Sequence, residues 1–300
     1  MELSADRQVL RREVEAALAG ATLQGLPGIR DVAVLHGNGN SIAIVELAAT
    51  SDSAVQLLAA ATRELCGGVT ALRIDGVLFF YPYHHTGRRM IFFDRDGTWE
   101  AMCGNGLRCL TRYGVDTGAL DTEDTVITDD GPRAVRVTDD GQVEVALGEP
   151  RELRQVRPDW WFVYNGVPHL VLFVERVGDI DVRTEGARLR YDTALCELLQ
   201  HPEGVHIDFA EVAGAELVVR TYEVGVEDET LCCGTGVAAA GFLGWRTGRT
   251  QIPVTVRTAG GAVHVAMAGK QLTIRGEVTY LLPSVYGGAL LGPTSPGGAP

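Results

Sequence analysis

The feature that most constrains this 300-residue chain is an internal echo. "MCGNGLRC" at residues 102 to 109 is answered about 130 positions later by "LCCGTGVAAAG". Each places a cysteine directly before Gly-x-Gly and leads into a helical stretch. Repetition of such a turn at this separation predicts two similar halves rather than one indivisible unit.

The flanking texture repeats as well. A first half with short β-type runs ("DVAVLHG", "SIAIVELA", "ALRIDGVLFFYPY", "RRMIFFDRDG") embeds helical patterns at 55–66 and from Gly106 onward. The second half offers strands in "WWFVYNGVPHLVLFVERV", a helical stretch around 185–200, and strands in "VHIDFAEV" and "ELVVRTYEVG". The glycine-cysteine turn, its helix and three further strand segments follow. Asp-Gly pairs between 120 and 160 mark hairpins, and the halves are expected to divide near Pro150. Residues 7–20 carry apolar positions at helical spacing, closed by Gly20. The Gly/Pro-rich tail 291–300 is expected to be flexible.

Composition narrows the function classes. With 46% hydrophobic and 22% charged residues the chain can bury a real core, and its net charge of −13 disfavours nucleic acid and anionic membranes. A small-molecule partner fits better. No segment approaches the roughly 20 apolar residues of a membrane span, and the N-terminus is charged where a signal peptide would be apolar. A cytoplasmic protein is expected. Its six cysteines should then be reduced thiols, and none of their spacings resembles a zinc site, so no metal is expected. Cofactors are not expected either. No lysine sits in a pyridoxal phosphate context, and "HGNGNS" (36–41) lacks the third glycine of a nucleotide fingerprint.

The paired turns have their own chemistry. Glycines allow successive N–H groups to converge, and a helix N-terminus adds about half a positive charge, so each turn is suited to an anion. The same field favours thiolate, so Cys103 and Cys233 are expected to deprotonate readily. Facing each other across a cleft, they could act as a two-base racemase. One thiolate would remove an α-proton while the opposite thiol returns one to the other face. Cys66, Cys109, Cys196 and Cys232 read as packing. A reading from another class is a non-catalytic amino-acid-binding or thiol-redox protein.

Four motifs in order then resemble one family. "DRDGTWEAMCGNGLRC" and "RTYEVGVEDETLCCGTG" are similar to the two signature motifs of diaminopimelate epimerase. "HGNGNS" resembles its His-Gly-x-Gly-Asn motif and "GVPH" (166–169) its Gly-Asn-Pro-His motif. The resemblance spans roughly residues 30–290. It implies an α/β (α+β) fold of two pseudo-symmetric domains, each a strongly curved, mostly antiparallel sheet around a central helix, with the active site in the interdomain cleft. The expected domains are 1–150, completed by a strand within 277–290, and 151–276. The resemblance further implies a cofactor-independent isomerase, with a homodimer as one option. It makes Cys103 and Cys233 the acid/base pair and gives the α-carboxylate to the N–H groups of Gly104, Asn105, Gly234 and Thr235. It also puts Asn40, His169 and Glu223 near substrate, Glu223 accepting from the α-amino group. For His169 an orienting role is an equal reading.

Departures cluster at the substrate's far end. The family's arginine after the glutamate is Val224 here, and its asparagines correspond to Val167, Asp94 and Asp208. Loss of the arginine removes a bidentate partner for a distal carboxylate, and two aspartates would repel one. The expected substrate is therefore a basic amino acid (histidine, lysine, ornithine, arginine or a diamino acid), with diaminopimelate itself as the alternative. Asp94 could instead be an exposed turn residue, and Asp208 could pair with Arg95 or Arg220.

Overall fold

A computed structural model describes residues 5–26, 28–50, 54–83 and 87–286. The tail 291–300 and positions 287–290 of the expected closing strand lie outside them. After helices α1 (Ala5–Leu18) and α2 (Ala21–Gln24), strands β1 (Ile29–Gly37) and β2 (Asn40–Leu47) form a hairpin. Its two turn residues, Asn38 and Gly39, have φ of 57° and 97°, the left-handed pair that a two-residue hairpin favours. The glycine-rich "HGNGNS" is therefore a hairpin turn.

The first half continues through α3 (Val55–Gly68) to β3 (Gly76–Tyr83), which runs parallel to β2, and then to the antiparallel β4 (Gly87–Asp94). A two-residue β5 (Trp99–Glu100) pairs with the end of β4 just before α4 (Gly104–Thr117). Then β6 (Glu123–Thr128) returns parallel to β4, followed by antiparallel β7 (Gly131–Val137) and β8 (Val143–Gly148).

The second half repeats this order. After β9 (Arg151–Arg157) come the antiparallel β10 (Trp160–Tyr164) and β11 (Pro168–Val174). Helices α5 (Val182–Arg190) and α6 (Thr193–Leu199) cross over to β12 (His206–Ala213), parallel to β11. Antiparallel β13 (Glu216–Glu223) carries the short β14 (Asp228–Thr230) just before α7 (Gly234–Arg246). Finally β15 (Val254–Thr258) lies parallel to β13 and leads into β16 (Gly261–Ala268) and β17 (Gln271–Gly276). The halves join where β8 pairs with β17. β18 (Thr279–Leu282), the described part of the expected closing strand, crosses back to pair with β1.

Most pairings are antiparallel, and the sheet curls around two helices. α4 touches β1, β2, β3, β7 and β8, while α7 touches β10 to β13 and β15 to β17. Most residues of both helices are buried, and their apolar side chains share one core. Helices α1 and α3 cover a second core over the first half, and α5 and α6 cover a third over the second. Three strands escaped sequence reading. β5 and β14 are too short to show a period, and β9 ("RELRQVR") is exposed along most of its length, so nothing selects apolar residues there.

Candidate active site

Cys103 and Cys233 occupy the N-cap positions of α4 and α7. The two helix starts abut. A Cβ added at Gly234 would lie 3.4 Å from the Asn105 backbone nitrogen, and one at Gly104 or Gly234 would press on the Ile274 methyl at 3.1 or 3.3 Å. Only residues without a side chain allow this approach. The N–H groups of Gly104, Asn105, Gly234 and Thr235 are among those that a helix start leaves without an intrahelical partner, and here two such sets converge.

They converge on a cavity of about 60 Å³ between the halves. Its walls include Cys103, Cys233 and seven of the nine other residues singled out from sequence: Asn40, Asp94, Gly104, Asn105, Glu223, Gly234 and Thr235. Val167 and Val224, two of the departures, also line it. Asp94 and Glu223 occupy equivalent places, each the last residue of a strand (β4 or β13) that carries a short partner before the cysteine turn. The Asp94 carboxylate lies 2.9 Å from where a Cβ on Gly225 would stand, so it reaches the loop that follows Glu223.

The cavity is acidic: Asp75, Asp94, Glu100 and Glu223 line it, and no lysine or arginine does. Burial, with Glu100 and Glu223 next, pushes the Asp94 carboxyl up to about 8. Burial likewise raises Glu223 to about 7, although the Thr230 hydroxyl donates to it at 2.7 Å. Glu100 is raised by the same cause.

His169 and Asp208 are placed behind the cavity wall. Both are fully buried, with His169 Nδ1 2.8 Å from Asp208 Oδ2, and the Thr221 hydroxyl donates to Asp208 Oδ1 at 2.7 Å. Asp208 also fills the space beside Gly236 in the first turn of α7. Asp208 thus does not line the cavity, and it pairs with neither Arg95 nor Arg220. Arg95 donates to the Ile74 carbonyl and Arg220 grips Glu229. The residue of β12 that reaches the cavity is His206, whose ring stacks on His169 at 4.7 Å between centroids. Burial holds His206 well below the usual histidine range, and its Nδ1 accepts from the Val224 N–H at 3.3 Å. A neutral ring accepting at Nδ1 carries its proton on Nε2. Sequence reasoning missed His206 and Asp75, which belong to no motif, and Glu100, which lies inside the first signature motif but carries no signal that sets it apart from its neighbours.

The cysteines also differ from expectation. Gly106 N–H donates to Cys103 Sγ at 3.2 Å, and the Thr235 hydroxyl lies 3.4 Å from Cys233 Sγ. These contacts favour thiolate, yet burial pushes both thiols up, and Asp94 and Glu223 add to the rise at Cys103 as Glu223 and Asp208 do at Cys233. Desolvation and the neighbouring carboxyl groups both act against the helix field. Among the described residues, no group of three or more His, Cys, Asp or Glu is arranged to hold a metal, and no helix is long and apolar enough to cross a membrane.

The fold of two similar halves is shared with solved structures of distant sequence. A hydroxyproline epimerase from Agrobacterium vitis, solved with trans-4-hydroxy-L-proline, aligns with TM-score 0.59 at 16% identity, covering 83% of this chain and 90% of that one. A phenazine biosynthesis protein of the PhzF family from Bacillus anthracis aligns with TM-score 0.60 at 14% identity, covering 85% and 97%. Sequence relationship is more specific. The family model described as diaminopimelate epimerase matches residues 32–153 and 161–281, one match per half, and the chain belongs to that family of isomerases. A diaminopimelate epimerase from Methanocella arvoryzae is 34% identical over 251 residues, covering 77% of this chain and 88% of the relative. One from Methanothrix thermoacetophila is 32% identical over 275 residues, covering 86% and 96%.

Proposed function

We propose that the protein inverts the Cα configuration of a basic amino acid by proton transfer between Cys103 and Cys233, without a cofactor. The observation that carries this reading is the single cavity in which both N-cap cysteines meet four carboxyl groups and no cationic side chain. The substrate's α-carboxylate would rest on the N–H groups of Gly104, Asn105, Gly234 and Thr235, and Glu223 would take the α-ammonium. Asp94 would take the distal cation, with Asp75, Glu100 and the Nε2–H of His206 nearby. His169 and Asp208 would act from behind, His169 supporting the His206 ring. Asn40, whose side-chain amide donates to the Cys232 carbonyl at 2.9 Å, would fix the turn that delivers Cys233.

The same arrangement accounts for the raised thiols. Arrival of the substrate's two cationic groups beside Glu223 and Asp94 would offset the negative charge that keeps Cys103 and Cys233 protonated, so that one of the two thiols releases its proton to solvent and becomes the thiolate that the chemistry needs. That thiolate takes the α-proton, the C–H electron pair moves into the carboxylate, and the opposite thiol delivers its own proton to the other face. A net inversion leaves the two sulfurs with exchanged protonation states.

The curated relatives favour a second reading, diaminopimelate epimerase itself. Against it stand Val224 and Val167 in the cavity wall, where the motif resemblance places an arginine and an asparagine. Solvent-deuterium incorporation at Cα across a panel of L-amino acids and diaminopimelate separates the two. Exchange of lysine, ornithine, arginine or histidine is expected; exchange of diaminopimelate alone would sink the basic-substrate reading. No exchange with any amino acid would leave a binding or redox protein.

A further inference from the structure

Arg108 lies on α4 five residues after Cys103 and is the largest fully buried side chain described. It makes no carboxylate pair among the described residues. Its Nη1 donates to Asn38 Oδ1 and its Nη2 to Asn105 Oδ1, both at 2.8 Å, and its Nε is buried without a partner. The titratable groups that act on it are the thiols of Cys232, Cys109 and Cys103. A guanidinium stays charged in a protein, and burying it beside two neutral amides costs several kcal/mol. The nearby starts of α4 and α7 are themselves electropositive, so they do not offset it. The corresponding position of α7, five residues after Cys233, is Ala238, so this cation has no counterpart in the other half.

Arg108 also decides how Asn105 is turned. A guanidinium only donates, so the amide oxygen of Asn105 must face it and the NH₂ must point elsewhere. That Nδ2 is buried without a hydrogen-bond partner, on a residue 2% exposed that lines the cavity. A buried donor without an acceptor and a buried cation without an anion thus adjoin the same converging N–H groups.

The geometry points to Arg108 as a positioning residue that aims the Asn105 side-chain NH₂ at the substrate carboxylate and supplies the buried positive charge that this carboxylate completes. The inference rests on the amino-acid reading of the cavity. Its mechanistic consequence concerns the reacting state more than the bound one. When the Cα–H bond breaks and its electron pair enters the carboxylate, the group gains a second negative charge, which a fixed buried cation stabilises more than it stabilises the single charge before reaction.

The test uses the full chain and the best substrate of the deuterium panel. Arg108→Met is expected to remain folded, because the substitution removes an unpaired buried charge. It should lower kcat for Cα exchange about 100-fold, with KM rising about tenfold or less. Asn105→Ala should lower kcat in the same direction, and the double variant should be no slower than Arg108→Met alone, since the two act through one contact. Should Arg108→Met fail to fold, Arg108→Lys carries the test. Lysine keeps the charge but cannot hold both Asn38 and Asn105, so kcat is expected to fall about tenfold at nearly unchanged KM. The inference is overturned by wild-type kcat in either folded variant, or by losses for Arg108→Met and Asn105→Ala that multiply independently. Absence of exchange in the wild type with every amino acid would instead remove the amino-acid reading, and this inference with it.

Discussion

Asp94→Asn changes one atom's identity and keeps the side chain's shape, so it isolates the charge at the proposed distal site. In the folded protein burial and the neighbouring Glu100 and Glu223 raise the Asp94 carboxyl to about 8. The unfolded chain would release that proton near its ordinary value of about 3.9. A carboxyl raised on folding binds its proton more tightly in the native state, so the native state loses stability as pH climbs from about 4 to about 8. At roughly 1.4 kcal/mol per pKa unit the loss has an upper bound of about 6 kcal/mol. Asp94 is half-buried in a cleft, and solvent screening brings the expected value to about 2 kcal/mol. Asparagine does not titrate. Urea unfolding should therefore show Asp94→Asn more stable than wild type by about 2 kcal/mol at pH 8 and indistinguishable from it near pH 4. Activity should move the other way. Loss of a hydrogen bond to a charged group, worth about 1.5–3 kcal/mol, should raise KM for a basic substrate about 10- to 150-fold. Equal destabilisation at both pH values would refute the electrostatic account of the site. Unchanged KM with a basic substrate would refute contact between Asp94 and the distal cation.

Two further outcomes follow from the helix starts. Cys103→Ala and Cys233→Ala should each abolish racemisation in a chiral assay while leaving the melting temperature within a few degrees, since each removes one small buried sulfur; turnover surviving both would exclude the two-thiol reaction. Gly234→Ala places a Cβ 3.3 Å from the Ile274 methyl and 3.4 Å from the Asn105 nitrogen, so the two turns must part by a few tenths of an ångström. The variant should fold with a loss of about 1 kcal/mol and lose kcat about tenfold or more, because converging donors depend on that approach. Unaltered kcat would mean that the abutment is packing alone.

The parts of the site that were legible in the sequence are those set by local chain geometry. A cysteine before Gly-x-Gly at the head of an apolar run specifies an N-cap whatever surrounds it, and both cysteines lie at one. The repeated order of strands around each turn was legible for the same reason. Asp94 and Glu223 could be found because both fall inside the two signature motifs that carry the family resemblance. His206 and Asp208 show where such reasoning stops. They are two apart on β12 and so share a face, and their periodicity is identical. Which one meets the cavity depends on α7 crossing that face with Gly236 against Asp208, which leaves His206 for the wall.

Protonation was the least legible property. A helix N-terminus argues for a thiolate, and the sequence contains that argument in full. It does not contain the desolvation of both thiols where the halves meet, nor the carboxyl groups that reach them from the ends of β4 and β13. The sequence by itself determined two like halves and two cysteine-capped helices. Only the tertiary structure decided that the helix starts touch, that four carboxyls share their cavity, and that Arg108 stands charged behind it. Contact between segments far apart in the chain, and the water that such contact excludes, are properties of the packed molecule that no local spacing encodes.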